Sequence, residues 1–296
     1  MEAGLVGSEF ADHLTDADLG LLLSATGRRA KPAEQGGSVS RLRRDPGALP
    51  GLLADPRVFR AVFGSDTDPN REPVPASPFL AFAVAVHRAA GELASMDHVP
   101  ERSGPRQRVP LFDAPDLRDF LGSAARRLFL AELLASFTRV ASGRYRVRTG
   151  RWPRTQRFSE LDPVRLAGLL DAVPESDRPG VYRRLGDVAL FLTGVFPDYA
   201  AAHALGPVNA ARLLRIAQVP QPHRERLASA PAIDLLEHLG ATWYRAAFTL
   251  APTRTARLAV VGEVADRFRQ ARRVLNHIAD RYLFRPGNPW FAAPSG

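Results

Sequence analysis

The sequence predicts a mainly α-helical fold, a multi-helix bundle that carries one short basic β-ribbon. Apolar residues recur at helical spacing along most of the 296 residues, and many of these runs begin or end at a Pro, a Gly or a capping residue. Alternation with a period of two, which is typical of a strand, stands out at one place only, from Arg144 to Thr149. The chain is 45% hydrophobic and 24% charged, a composition typical of a folded globular protein.

Capping residues and apolar runs predict the helices of the N-terminal half. Thr15 or Asp16 precedes one apolar run as an N-cap, and Asp55 precedes a Pro at a first helical position. The run that follows Ser77-Pro78 is apolar on nearly every side, so we expect its helix at the centre of a core. The predicted helices cover residues 16–23, 55–63, 79–96 and 116–137.

Three segments of the N-terminal half lack helical spacing. Residues 27–50 contain Gly36-Gly37 and several serines, which predicts a mobile loop. The basic residues of this loop are Arg28, Arg29, Lys31, Arg41, Arg43 and Arg44. Such a loop is a candidate second arm for a polyanion. Residues 66–78 are rich in proline and are expected to be a linker, and residues 97–115 are expected to be a proline-rich loop.

Most of the net charge lies in one segment, which begins at Arg139 and ends at Arg157. It carries seven arginines and no acidic residue, with Tyr145 and Trp152 among them. Removing these seven charges from the chain's net charge of +9 leaves +2. Residues 27–44 hold a further net charge of +5, so the chain outside the two segments has a net charge of −3.

Alternation within this segment predicts a ribbon with two different faces. Successive side chains of a strand point to opposite sides, so alternate residues share a face. One face holds Arg144, Arg146 and Arg148, and the other holds Tyr145, Val147 and Thr149. We expect Thr149-Gly150 to turn the chain into a short hairpin. A lone two-stranded ribbon is only marginally stable, so we also expect it to pack on helices.

Helical signals dominate again after the ribbon. Predicted helices cover residues 161–173, 179–196, 207–219, 233–251 and 255–284. Leu185-Gly186 and Leu239-Gly240 lie inside two of them, and we interpret the glycines as points of close helix–helix contact. The alternative is a divergent helical solenoid, because the two Leu-Gly pairs are followed by similar residues 54 positions apart.

The last of these helices has the clearest amphipathic pattern. Its apolar or small residues at three-four spacing are Val261, Val264, Phe268, Ala271, Leu275, Ile278 and Tyr282. This spacing predicts an ordinary seam of the bundle. The alternative is that residues 261–282 bind a protein partner or a second copy of the chain.

The order of these elements suggests three parts. Residues 1–141 are predicted to form an N-terminal helical lobe that includes the basic loop at 27–50. Residues 142–158 are the basic ribbon or linker, and residues 159–296 are a C-terminal helical lobe.

One stretch, Val181-Tyr-Arg-Arg-Leu-Gly-Asp-Val-Ala-Leu-Phe-Leu-Thr-Gly-Val-Phe-Pro197, resembles a segment of uncharacterised helical proteins of GC-rich actinobacteria. The similarity extends from about Phe158 to Tyr199. The resemblance implies a bacterial, cytoplasmic and helical protein. Because that family has no assigned function, it transfers no residue roles to this chain.

Composition excludes several classes of chemistry. The chain has no cysteine, which excludes disulfides, thiolate nucleophiles, iron–sulfur clusters and Cys-ligated zinc. Its seven histidines show no metal-ligand spacing, and there is no nucleophile elbow, phosphate-binding loop or dinucleotide fingerprint. We therefore expect no metal and no cofactor, and no local motif marks a catalytic residue.

Hydropathy predicts no membrane association. The longest nearly uncharged apolar run, residues 188–197, is far shorter than the roughly 20 residues that a membrane span needs. No secretory leader is visible at the N-terminus. We expect a cytoplasmic protein.

Asp187 is the acidic residue that most needs a partner. It lies in a predicted helix that is otherwise apolar from Leu185 to Phe196, and a buried carboxylate is costly unless it is paired. Arg183 and Arg184 lie four and three residues before it on the same helix, so a structural ion pair is the expected role. A ligand-binding or acid/base role is the alternative.

Three functional hypotheses follow. The first is a non-enzymatic protein that binds DNA or RNA largely independently of sequence. Its predicted contact residues are Arg144, Arg146, Arg148, Arg151, Trp152, Arg154 and Arg157. The second is a helical adaptor that binds an acidic protein partner or self-associates. The third is an enzyme with a site near Asp187 that no local motif reveals.

Overall fold

The computed structural model describes residues 2–27, 35–64, 74–104, 107–139, 142–149, 152–203, 205–284 and 290–291. These residues form sixteen α-helices and two two-stranded ribbons, so the predicted mainly α-helical fold is confirmed. None of the helices in the described ranges is both long enough and apolar enough to cross a membrane.

The helices are α1 (Glu2–His13), α2 (Asp16–Ala25), α3 (Gln35–Arg44), α4 (Leu49–Leu53), α5 (Pro56–Phe63), α6 (Pro78–Leu93), α7 (Ala114–Gly122), α8 (Ala124–Ser136), α9 (Pro163–Ala167), α10 (Arg178–Val195), α11 (Pro197–His203), α12 (Pro207–Ile216), α13 (Gln221–Ala228), α14 (Ala232–Leu250), α15 (Ala256–Asp266) and α16 (Phe268–Ile278). Short 3-10 turns cover Pro46–Ala48, Gly168–Asp171 and Glu175–Asp177, and one π-helical turn covers Ala279–Leu283. The strands are β1 (Val99–Gly104), β2 (Gln107–Leu111), β3 (Ser142–Thr149) and β4 (Trp152–Ser159).

The chain forms two compact units. Unit 1 comprises Met1–Val99, Leu111–Thr138 and Asp280–Asn288. Unit 2 comprises Pro100–Pro110, Arg139–Ala279 and Pro289–Gly296. The β3–β4 ribbon therefore belongs to unit 2.

The core of unit 1 is built around α6. Its N-cap is Ser77, whose hydroxyl accepts a hydrogen bond from the Leu80 amide at 3.1 Å, as Ser77-Pro78 predicted. Nearly all of its side chains from Phe79 to Ala89 are buried, and it packs mainly against α8. Asp18 connects α2 to this start, because its carboxylate accepts from the Ser77 amide at 3.0 Å. The helix expected at the centre of a core is thus central to unit 1.

The core of unit 2 is built from α10, α14 and α16. Two glycines let these helices approach closely: a Cβ at position 186 would overlap the Tyr244 ring, and a Cβ at position 240 would overlap the Phe268 ring. Gly194 is similar, since a Cβ there would lie 2.7 Å from the Leu275 Cβ. The interpretation of Gly186 and Gly240 as close helix contacts is confirmed.

A buried polar cluster also connects the helices of unit 2. The guanidinium of Arg272 on α16 donates hydrogen bonds to two carboxylates. One belongs to Glu237 on α14, and the other belongs to Glu101 on β1 and lies at 2.5 Å. Burial opposes the charge of Arg272, but the two carboxylates outweigh it and raise the pKa of the guanidinium. The amide of Asn276 donates to the carbonyls of Thr193, at 3.1 Å, and Gly194. This cluster fixes the β1–β2 ribbon and α10 to α16.

Two helices that the sequence predicts as continuous are each broken. The predicted helix 116–137 divides into α7 and α8 at Ser123, whose extended backbone lets its hydroxyl cap α8 at the Arg126 amide. The predicted helix 255–284 divides into α15 and α16 at Arg267, whose backbone leaves the helical region. The seam residues from Val261 to Tyr282 are nevertheless all buried within the chain, as an ordinary bundle seam requires.

Residues 27–50 differ from the predicted mobile loop wherever the structure describes them. Residues 35–44 form α3, and α4 begins at Leu49. The reason is burial, since Leu42, Leu49, Leu52 and Leu53 all lie in the core of unit 1. Glycine and serine made the segment look irregular, but a few well-placed leucines are enough to hold short helices there.

The segment 97–115, expected to be a proline-rich loop, contains a second β-ribbon. Strand β1 pairs with β2, and Val99 at its start is buried. Glu101 on β1 forms an ion pair with Arg272, so a contact with a distant residue stabilises the ribbon. The sequence did not predict these strands, because the prolines at positions 100, 105 and 110 argue against a strand.

Candidate nucleic-acid interface

The basic segment forms a regular antiparallel hairpin. Strands β3 and β4 pair along their full length, from Ser142 opposite Ser159 to Thr149 opposite Trp152. The predicted hairpin is confirmed, although Thr149, which was expected in its turn, is paired with Trp152. Gly150 and Arg151 lie outside the described residues.

The register assigns the arginine positions to faces. In an antiparallel pair, directly opposite residues share a face. Arg157 lies opposite Arg144, so it joins the face that Arg144, Arg146 and Arg148 define. The other two positions opposite this face are Thr155 and Pro153. We call this set of positions the basic face; it has four arginines and no acidic residue.

The opposite face of the ribbon holds three aromatic residues and one arginine. Its cross-strand pairs are Gly143 with Phe158, Tyr145 with Gln156, Val147 with Arg154 and Thr149 with Trp152. Two of the residues predicted to bind nucleic acid, Trp152 and Arg154, thus belong to this second face. The sequence analysis placed only Arg144, Arg146 and Arg148 on one face, and the register adds Arg157 to that face and assigns Arg154 to the other.

One cross-strand pair on the basic face consists of two arginine positions. Arg144 and Arg157 lie directly opposite one another in the register, and neither strand contains an acidic residue.

The base of the ribbon is attached to the helices of unit 2. Helix α9 packs against β4, and Asp162 caps α9 by accepting from the Val164 amide at 3.0 Å and the Arg165 amide at 3.1 Å. Glu160, the residue after β4, lies 3.1 Å from the guanidinium of Arg184 on α10. The expectation that the ribbon packs on helices is met at this end of it.

Asp187 continues this chain of contacts into the core. Its carboxylate lies 3.9 Å from the Arg184 guanidinium and accepts a hydrogen bond from the Tyr244 hydroxyl at 2.8 Å. Burial and the Asp187 charge raise the pKa of Tyr244 well above its usual value, so its hydroxyl stays protonated and donates. Glu160, Arg184, Asp187 and Tyr244 thus form one anchor, which connects β4 to α10 and α14.

Of the two arginines predicted to pair with Asp187, the structure shows Arg184 in an ion pair with it. Arg184 pairs with Asp187, whereas for Arg183 the structure gives only an electrostatic effect on the pKa of Tyr244. Sequence reasoning missed Tyr244 as a partner of Asp187. The signal was Gly186, because the glycine beside Asp187 is what admits the Tyr244 ring.

The structure gives Asp187 polar partners, Arg184 and Tyr244 among them. Within the described ranges, no group of three or more His, Asp or Glu side chains is placed to hold a metal ion. The Asp187 side chain is mostly buried and is part of the anchor just described.

The basic residues of the segment 27–44 have different roles where they are described. Arg43 donates to the Asp16 carboxylate at 2.7 Å and to the carbonyls of Ala11 and Leu14, so it holds α3 against the helices before it. Arg28, Arg29 and Lys31 lie outside the described residues. Arg43 is therefore a structural residue of unit 1, which removes one of the six cations from the predicted second arm.

Comparison of the chain with protein-family models, with curated proteins and with solved structures finds no match.

Proposed function

We propose that this chain binds nucleic acid through the basic face of the β3–β4 ribbon, largely independently of sequence. The observation that carries the proposal is the strand register, which groups Arg144, Arg146, Arg148 and Arg157 on one face. Nearly every cation of the chain is arginine, and its planar guanidinium suits bidentate contacts with phosphate oxygens.

Strand geometry supports a backbone contact rather than base reading. Residues two apart in an antiparallel strand are separated by about 7 Å, so the three arginine positions of β3 span about 14 Å. A row of cations at that spacing follows a chain of phosphates. Phosphate contacts position a protein without reading base edges, so we expect little sequence preference.

The second face offers a reason to test single strands as well as duplexes. Tyr145 and Trp152 belong to it, and aromatic side chains stack on unpaired bases without regard to sequence. Both DNA and RNA belong to the proposal, because phosphate is common to them. We also propose a cytoplasmic location, in keeping with the absence of cysteine and of a spanning helix among the described residues.

Charge reversal of the basic face tests this function. Replacing Arg144, Arg146 and Arg148 by Glu should lower the affinity for a short DNA or RNA by about 100-fold or more at low salt. The fold should survive, because a Glu at position 144 faces Arg157 and turns a like-charge pair into an opposite-charge pair.

A matched control separates the site from the overall charge. Replacing the exposed Arg60, Arg118 and Arg254 by Glu changes the net charge by the same amount but alters neither basic segment. This variant should bind almost as well as the unmodified protein. If both variants lose affinity equally, or if the ribbon variant binds like the unmodified protein, the proposal is wrong.

Purification with a stoichiometric acidic protein and no retention on heparin would favour the adaptor hypothesis instead.

A further inference from the structure

Helices α12 and α13 of unit 2 are joined by a tight turn. Helix α12 ends in a Schellman motif, in which the Gln218 amide donates to the Arg215 carbonyl at 3.0 Å. The Val219 amide donates to the Leu214 carbonyl, also at 3.0 Å. Gln218 has a φ of 54°, a left-handed conformation that no other non-glycine residue adopts in the described ranges. The Arg224 side chain donates to the Val219 carbonyl, so both helices fix the turn.

Packing leaves α13 at the surface of unit 2. Helix α12 packs against α9, α13 and α14, and it buries Ala210, Leu213 and Leu214. Helix α13 packs against α12 and α14, but none of its side chains is buried. The helix pair is therefore held mainly through α12 and the turn, and most of α13 is exposed.

The exposed surface of this pair carries arginines that the described residues do not pair. Arg212 and Arg215 lie one turn apart on α12, and Arg226 lies on α13. All three are exposed, and none forms a hydrogen bond or an ion pair with another described residue. Glu225 is the one acidic residue from 207 to 228, against four arginines. Other exposed arginines of unit 2 are paired with carboxylates, among them Arg165, Arg245 and Arg269.

Helix α9 connects this pair to the basic ribbon. It packs against β4 at the base of the ribbon, and it also packs against α12. The ribbon and the helix pair thus contact the same helix within one unit. Because α9 has only five residues, it is about 8 Å long. An extended polyanion bound at the ribbon is therefore long enough to reach α12 as well.

We propose that the α12–α13 pair is a second contact with the nucleic acid that the ribbon binds, and that it selects B-form duplex DNA. This inference rests on the function proposed for the ribbon and names its preferred ligand. The contact residues are Arg212, Arg215 and Arg226. Their charge complements a phosphate backbone, which is the argument for a nucleic acid as the occupant of this surface.

Groove shape explains the preference for duplex DNA. The major groove of B-form DNA is about 12 Å wide and admits an α-helix. In helix–turn–helix pairs the second helix enters this groove while the first crosses the backbone. Helix α13 has no buried side chain and can be the entering helix, whereas Arg212 and Arg215 on α12 supply phosphate contacts. The major groove of A-form RNA is deep and narrow, so it does not admit the pair.

Affinities for a duplex DNA, a duplex RNA and a single-stranded DNA of one sequence test this inference in the full chain. The unmodified protein should bind the duplex DNA about tenfold or more tightly than the duplex RNA. Its salt dependence should also be steeper on the duplex DNA than on the single strand, which contacts the ribbon alone.

Replacing Arg212, Arg215 and Arg226 by Gln should weaken duplex DNA binding by about tenfold or more. Affinity for the duplex RNA and the single strand should stay nearly unchanged, which also shows that the variant is folded. Gln has a helix propensity close to that of Arg, so the exposed helices should be retained. The control replaces Arg60, Arg118 and Arg254 by Gln, removes the same charge and should keep the preference for duplex DNA.

The other outcomes separate this inference from the function of the ribbon. If the unmodified protein binds all three ligands equally, or if the helix variant keeps the preference for duplex DNA, the helix pair does not select the ligand and the function proposed for the ribbon stands. A helix variant that loses affinity for all three ligands alike contradicts the selection of B-form DNA. If the unmodified protein binds none of them, both proposals are wrong.

Discussion

Gly186 has no room for a side chain, because the ring of Tyr244 lies against it. A Cβ at this position would overlap the ring, and moving the ring would break the hydrogen bond from the Tyr244 hydroxyl to Asp187. The contact between α10 and α14 therefore depends on one missing methyl group.

Replacing Gly186 by Ala should destabilise the protein by about 1–3 kcal/mol, the usual cost of overpacking a core. Gly180 on the same helix is the control, since a Cβ there meets nothing within 4 Å. Replacing Gly180 by Ala should leave stability unchanged or raise it by up to about 1 kcal/mol. Denaturant midpoints measure both effects. Equal changes in the two variants would contradict the packing described for α10 and α14.

His87 should make unit 1 sensitive to acid. It is buried on α6, its Nδ1 donates to the Ala83 carbonyl at 2.8 Å, and its Nε2 has no hydrogen-bond partner in the described part of the chain. Burial lowers its pKa from 6.5 to about 4, and the nearby charge of Arg127 adds to this. The unfolded chain therefore binds a proton between these two pH values when the folded chain does not.

Stability should consequently fall as the pH falls from 6.5 to 4, with His87 contributing about 3 kcal/mol to the loss. Replacing His87 by Phe should remove this part of the pH dependence, because a Phe has no proton to gain and retains the ring packing against Phe10. Replacing the exposed His98 by Gln should not alter it. A profile for the His87 variant as steep as that of the unmodified protein would show that His87 does not titrate in this way.

At the scale of the elements, capping residues were the most informative part of the sequence. Thr15 and Asp18 form a reciprocal capping box at α2, and Ser77 caps α6 where its hydroxyl and the following Pro predicted a start. The alternation of residues along β3 likewise predicted the β3–β4 hairpin from the local sequence. Local signals of this kind need only the neighbouring residues, so they can be predicted from one sequence.

Elements held by distant contacts were missed. Glu101 on strand β1 pairs with Arg272, which lies 171 residues later in the chain. No local pattern predicts a partner at that distance. The Arg154 and Trp152 positions were assigned to the basic surface for a similar reason: the period of β3 was visible, but the register that places β4 against it was not. The Asp187 anchor likewise required Tyr244, which lies 57 residues later in the chain.

The anchor at the base of the ribbon leads to a prediction for the ribbon as a whole. Replacing Glu160 by Gln removes the charge that holds Arg184 beside β4, in a pair that is mostly buried. We expect amides of β3 and β4 to exchange with solvent several-fold faster, equivalent to about 1 kcal/mol of local stability. Replacing Glu175 by Gln, in the exposed pair with Arg178, should not alter their exchange. Unchanged exchange in the Glu160 variant would mean that the anchor does not support the ribbon.

At the scale of the whole molecule, the positive charge is local. The chain outside residues 139–157 and 27–44 has a net charge of −3. Within residues 27–44, Arg43 forms an ion pair with Asp16. The four arginines of the basic face thus belong to one of two segments in which the excess positive charge of the chain is concentrated. A protein of this kind should bind polyanions at one place and not over its whole surface.

The salt dependence of nucleic-acid binding tests this central claim most directly. Affinity is measured for one oligonucleotide from about 50 to 200 mM salt, for the unmodified protein and for the variant with Glu at positions 144, 146 and 148. Each phosphate contact contributes about 0.7–0.9 to the slope of log affinity against log salt, so the unmodified protein should show a magnitude of about 3–4. The variant should lose most of this slope, whereas the variant at Arg60, Arg118 and Arg254 should keep it. A slope that is the same in all three proteins would contradict the account.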